Sequence, residues 1–152
     1  MPDLGQSAPD FTLPTNGGGT FTLSEQSKAV VLYFYPKDDT PGCTKEAIAF
    51  TESLSEFEAA GAMVVGVSKD TAAKHDKFIT KHALAVTLVS DAEGTVCEDY
   101  GVWVEKNMYG KTYMGIERAT FLIDATGVVR QIWRKVKVPG HAKAVLDAVK
   151  AM

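Results

Sequence analysis

Tyr33-Phe34-Tyr35-Pro36-Lys37-Asp38-Asp39-Thr40-Pro41-Gly42-Cys43-Thr44-Lys45-Glu46 passes from one periodicity to another within fourteen residues. The apolar run from Val30 to Tyr35 is short, β-branched and aromatic, and Pro36 stops it, so it reads as a buried strand. From Ala47 onward Ala47, Phe50, Leu54 and Phe57 fall on one helical stripe. Thr40-Pro41 supplies a cap residue followed by proline at the first helical position. Cys43 therefore lies in the first turn, where unpaired N–H groups and the positive end of the dipole favour an anion. That setting favours a thiolate, and with it a nucleophile. The plainer alternative is a small buried residue at a strand-to-helix junction. Three neighbours argue against it: Pro36 fixes the strand end, Gly42 lets another group approach the backbone, and Thr40 offers a hydroxyl.

At 152 residues the chain is expected to form one domain, residues 1–152, with a core closed by packing alone. Its 45% hydrophobic and 23% charged content is ordinary for a globular protein. A net charge of −3 gives no footprint for nucleic acid or an anionic membrane. Met1 to Gly5 lacks a basic and apolar leader pattern, and the run Ala29 to Tyr35 is too short to span a bilayer. Two cysteines without a secretory signal point to a reducing compartment, the cytosol.

Phe11–Leu13 and Phe21–Leu23 alternate like two short strands, joined by Pro14–Gly19 as a hairpin. The triple glycine is no phosphate cradle, because neither a helix nor a Lys-Ser/Thr follows it. After the strand ending at Tyr35, the Cys43 helix is expected to run to about Ala60-Gly61. Ala62–Val67 is a strand without polar alternation, as in a parallel α/β sheet. A helix from Asp70 or Thr71 to His82, a strand around Thr87–Val89 and a short helix from Ala92 to Tyr100 follow. Glu105–Gly115 is expected to be a loop, Ala119–Ile123 and Val128–Trp133 a hairpin, and Gly140–Ala151 the last helix. This β-α-β-α order followed by a hairpin and a helix is the thioredoxin-like α/β arrangement: a central mixed sheet flanked by helices, here with an N-terminal β-hairpin extension.

Pro36-Lys37-Asp38-Asp39-Thr40-Pro41-Gly42-Cys43 resembles the P-x-x-x-T-x-x-C signature of the peroxiredoxins. In detail Tyr35 to Ala47 is similar to the bacterioferritin comigratory protein, or Q-type, branch. Tyr100–Trp103, Gly110–Tyr113 and Gly115–Asp124 continue the likeness in order. The resemblance implies a thiol peroxidase that reduces hydrogen peroxide and organic hydroperoxides without metal or cofactor. Cys43 would be oxidised to a sulfenic acid and recycled by thioredoxin, glutaredoxin or glutathione, and the protein is expected to be a monomer. Antiparallel pairing in this fold sets the start of the Ala119 strand beside the end of the Tyr35 strand, which brings Arg118 to the Cys43 loop. The block Gly115–Phe121 matches the one that supplies the family's active-site arginine.

Cys43, Thr40, Arg118 and Pro36 are thus the expected catalytic set, with Gly42, Glu46 and Trp103 at the substrate and Glu46 steering Arg118. Thr40 and the Cys43 N–H would donate to the peroxide, and Pro36 would shield the pocket. His75, His82 and His141 have no metal-ligand spacing, and His75 and His82, seven positions apart on one expected helix, read as incidental. Asp38 and Asp39 read as a solvated loop, and Lys69, Lys74, Lys77 and Lys81 as a solvated helix face.

The chain departs from the family at the resolving cysteine. The position five residues after Cys43 is Ile48, and no cysteine lies between Thr71 and His82. Cys97 is the one other thiol, so a one-cysteine cycle is expected, with Cys97 as resolver the alternative. A peroxide-sensing relay that passes oxidation to a partner protein is a second reading. A cysteine hydrolase is disfavoured, because arginine is a poor general base and no histidine falls in a matching block.

Overall fold

The computed structural model describes residues 1–152. In chain order the elements are β1 (Thr12–Pro14), β2 (Thr20–Thr22), β3 (Ala29–Phe34), α1 (Pro41–Glu52), α2 (Leu54–Ala59), β4 (Ala62–Ser68), α3 (Ala72–His82), β5 (Thr87–Ser90) and α4 (Val96–Asp99). β6 (Trp103–Met108), β7 (Lys111–Ile116), β8 (Ala119–Ile123), β9 (Val129–Trp133) and α5 (His141–Lys150) complete the chain. The central sheet has the order β5-β4-β3-β8-β9. β3, β4 and β5 are parallel, and β8 and β9 are antiparallel additions. β3 lies in the middle with every residue buried, as its unbroken apolar run requires.

Alternation along β3 divides the interior into two layers. Val31, Tyr33 and Tyr35 face one side and pack with Cys43, Ala47 and Phe50 of α1, Phe57 of α2, Phe78 of α3, and Val145 and Val149 of α5. Val30, Leu32 and Phe34 face the other side. There they meet the β1–β2 hairpin through Phe11, Leu13 and Phe21, together with Cys97, Tyr100 and Val102 around α4. The two cysteines thus belong to opposite faces of one sheet. Gly66 in β4 makes room for Tyr33: a Cβ there would sit 2.7 Å from the Tyr33 ring.

Three elements differ from the sequence expectation. The Cys43 helix breaks at Ser53, whose φ/ψ of −98° and 3° divides it into α1 and α2. The helix expected over Ala92–Tyr100 contracts to one turn, α4, capped by the buried Asp91. That carboxylate accepts the Val96 and Cys97 N–H groups at 3.1 and 2.8 Å. Glu105–Gly115 is no loop: it lies within the antiparallel hairpin β6–β7, closed by Tyr109 and Gly110, both at positive φ (53° and 79°). That is the backbone a two-residue primed turn requires. Both faces of this hairpin are largely wet, so it carries no apolar alternation to announce it. No helix is long and apolar enough to cross a membrane.

Candidate active site

α1 opens at Thr40, which has extended backbone angles, followed by Pro41. The Thr44 N–H bonds back to the Thr40 carbonyl at 2.8 Å, whereas neither Gly42 nor Cys43 directs its N–H to a protein acceptor. Cys43 is buried beneath this turn. Thr40 does not cap with its side chain. Its hydroxyl donates to the Lys37 carbonyl at 2.9 Å, because the tight Lys37–Thr40 connection offers that acceptor first.

β8 pairs antiparallel with β3, with Ala119 opposite Phe34, so Arg118 comes level with the strand end that leads to Cys43. Its Nη2 donates to Cys43 Sγ at 3.3 Å and its Nη1 to Glu46 Oε1 at 2.6 Å. The rigid guanidinium fork therefore spans a thiol and a carboxyl group one helical turn apart. Gly42 permits the approach, since a Cβ there would lie 3.1 Å from Arg118 Nη2. Glu117, adjacent to Arg118 in the chain, accepts from Arg134 at 2.8 Å and does not compete for Arg118. Glu46 is buried and its Oε2 has no hydrogen-bond partner. Burial pushes its carboxyl up to about 7, against the pull of Arg118.

A groove of about 540 Å³ opens beside this centre, lined by Pro36, Thr40, Trp103, Lys106, Met108 and Tyr113 among others. Pro36 and Trp103 form part of its wall, and β6–β7 supplies one whole side. Lys106 was not singled out from the sequence, because its strand carried no signal. Burial and the Arg118 charge lower its ammonium, while Cys43 and Glu117 act the other way. Lys69 is no part of a solvated helix face. It precedes α3, pairs with Glu98 at 2.9 Å and Asp91 at 3.3 Å, and stands 5.0 Å over the Trp103 ring.

Cys97 is fully buried, and burial followed by the Asp91 carboxylate pushes its thiol far above the ordinary range. No histidine touches Cys43, which leaves the hydrolase reading without a base. His141 lies below β8, its Nε2 2.7 Å from Thr120 Oγ1. Burial, aided by the Arg118 charge, lowers its imidazole from 6.5 to about 4. On acidification the unfolded chain takes up this proton before the folded one does. The stability His141 contributes is therefore present above pH 6.5 and lost as pH falls toward 4. Glu46 acts in the opposite sense: its contribution is present below pH 4.5 and lost as pH rises through about 7. Urea midpoints followed from pH 6.5 to pH 4 should fall more steeply in the wild type than in His141→Gln, which keeps Glu46 constant. Parallel curves would remove His141 as a source of acid sensitivity.

The AhpC/TSA family matches residues 4–132. Peroxiredoxin Bcp of Xanthomonas campestris is 51% identical over 93% of this chain and 89% of its own length. Peroxiredoxin Bcp of Bacillus subtilis is 48% identical over 99% and 96%. The chain belongs to the Bcp, or Q-type, branch of the peroxiredoxins. A solved structure of the Xanthomonas campestris bacterioferritin comigratory protein superposes with a TM-score of 0.88 at 50% identity, covering 93% of this chain and 90% of that one. This peroxiredoxin has the thioredoxin-like fold and is a thiol peroxidase, an oxidoreductase that turns over peroxide with a thiol reductant.

Proposed function

We propose that Cys43 is the peroxide-reactive thiol, that Arg118 and the Cys43 N–H orient the peroxide, and that the cycle uses one cysteine. The observation that carries this reading is the Arg118 fork, which meets Cys43 Sγ and the buried Glu46 together. The Cys43 thiolate attacks one peroxide oxygen and the O–O bond breaks. The departing oxygen takes a proton, giving water or an alcohol, and Cys43 is left as a sulfenic acid. A free thiol is a few per cent ionised at neutral pH, so complete ionisation adds only about thirtyfold. The remaining acceleration must come from orientation and from stabilising charge on the leaving oxygen. Arg118 and the unengaged first-turn N–H groups are suited to that task. Thr40 enters through its backbone position and the groove wall, and Pro36 through exclusion of water. Gly42 admits Arg118, Glu46 holds it, and Trp103 borders the organic part of a hydroperoxide. The related Xanthomonas protein has been described for alkyl peroxide reduction, in line with that apolar wall.

The one-cysteine reading rests on where the thiols sit. Cys43 and Cys97 belong to opposite layers, separated by β3 and its neighbours, whereas a disulfide needs Cα atoms within about 7 Å. An external thiol then attacks the sulfenic acid, releasing water and forming a mixed disulfide, and a second thiol restores Cys43. Thioredoxin, glutaredoxin and glutathione are the reductants of this chemical class. A single-domain monomer in the reducing cytosol is the setting we infer, in keeping with two unpaired cysteines. Intact mass after one equivalent of peroxide tests the scheme. One added oxygen on Cys43 is expected; loss of two hydrogens would mark a Cys43–Cys97 disulfide and overturn it. Cys97→Ser is likewise expected to keep turnover within about twofold of wild type with each reductant, as for a residue outside the chemistry. Loss of turnover in a folded Cys97→Ser protein would make Cys97 the resolver.

A further inference from the structure

Asp38, His75 and Tyr35 are all buried, and the chemistry above uses none of them. The sequence reads Asp38 as solvated and His75 as incidental; both readings are corrected here. Asp38 Oδ1 accepts from the Tyr35 hydroxyl at 2.5 Å, and Oδ2 lies 2.6 Å from His75 Nδ1. The Asp38 N–H donates to Asp70 Oδ2 at 2.8 Å, and Ser68 Oγ donates to the same oxygen at 2.7 Å. His75 Nε2 donates to the Val89 carbonyl at 2.9 Å, which can only accept. The Val89 carbonyl fixes a proton on Nε2, and Nδ1 and Asp38 Oδ2 share another in a short buried contact.

The neighbouring residue is held from the same helix. Asp39, at a positive φ of 60°, turns outward to Lys81 Nζ at 2.7 Å and His82 Nε2 at 2.8 Å. His75 and His82, seven positions apart on α3, therefore grip consecutive carboxylates of the connection that leads into the Cys43 turn. The outer contacts are exposed and count for little. The inner one ties that connection to α3, β4 and β5 at once.

We propose that Asp38, His75 and Tyr35 are positioning residues for peroxide reduction: they fix the Pro36–Thr40 connection so that Cys43 stays in register with Arg118. Cys43 and Arg118 come from α1 and β8, joined directly by one 3.3 Å contact. Their relation depends on how the first turn of α1 is seated, and a misplacement of about 1 Å in such a site can cost on the order of 10² in rate. A buried polar contact of this kind adds little net stability over an apolar pair of the same volume, since desolvation offsets the attraction. What it supplies here is a single geometry.

The inference rests on Cys43 being the peroxide-reactive thiol. That is checked first, by the loss of peroxide consumption in Cys43→Ser. The test then compares two second-order rates in Asp38→Asn and Tyr35→Phe: oxidation of Cys43 by hydrogen peroxide, and its alkylation by iodoacetamide, which needs no oriented oxygen. Asp38→Asn should slow the peroxide reaction about tenfold and Tyr35→Phe about threefold, with alkylation within about twofold of wild type. Peroxide rates within twofold of wild type in both folded proteins would overturn the proposal. So would a parallel fall of both rates, which reports thiol accessibility rather than alignment. If Asp38→Asn does not fold, Tyr35→Phe, which removes one hydroxyl and keeps the ring, decides alone.

Discussion

Replacement of Cys43 by serine is expected to abolish peroxide consumption while leaving the fold intact. The serine hydroxyl fits the buried space beneath the first turn of α1 and can still accept from Arg118. It is neither ionised near neutral pH nor comparably nucleophilic. Removing a catalytic nucleophile can cost on the order of 10⁶ in turnover, and a loss of that size is expected here. The measurement is hydrogen peroxide consumption at catalytic protein concentration with a thiol reductant, alongside thermal unfolding. Wild-type turnover by a folded Cys43→Ser protein would remove this cysteine from the chemistry.

The second large effect is expected at Arg118. Arg118→Met keeps length and removes the charged fork, so both the Cys43 and Glu46 contacts disappear together. The second-order rate with peroxide should fall by at least about tenfold, toward the 10² to 10³ that one preorganised donor can be worth. Stripping a partner from a buried carboxylate is ordinarily severe. Glu46 has a way out, because burial already holds its carboxyl at about 7, and without Arg118 it can take a proton and become neutral. Any loss of stability in Arg118→Met should therefore grow as pH rises above neutral, which thermal unfolding across that range can follow. An unchanged peroxide rate would reduce Arg118 to a structural partner of Glu46.

The centre of the fold was legible because its signals are local. Val30–Tyr35 carries an unbroken apolar run, Thr40-Pro41 an entry to a helix, and Ala47, Phe50 and Phe57 a stripe that recurs in the packed layer. The nearness of Arg118 to Cys43 followed from the antiparallel pairing that the thioredoxin-like arrangement implies for Ala119–Ile123, and from the family resemblance of Gly115–Phe121. Other features have no local trace. The Asp38–His75 pair joins residues 37 positions apart, and each side chain taken alone is the kind that normally faces water. β6–β7 was obscured because neither of its faces is a core, although Tyr109-Gly110 is the pair its turn needs. Thr40 suited an N-cap, yet a carbonyl three residues back was nearer to hand. Lys69 sat among helix lysines in the chain, while its charge was claimed by Asp91 and Glu98.

The five-stranded sheet also acts as a partition. Successive side chains of a strand point to opposite faces, so hydrogen-bonded backbone lies between the two packed layers. An oxidation event on the Cys43 side has no thiol of its own layer to pass to, and the one on the far side is buried within α4. On the one-cysteine cycle we propose, oxidising equivalents are stored one at a time and leave by collision with another molecule. The throughput of a protein working by that cycle would follow the abundance of reducing thiols around it, so each molecule would report on the balance between peroxide arrival and thiol supply.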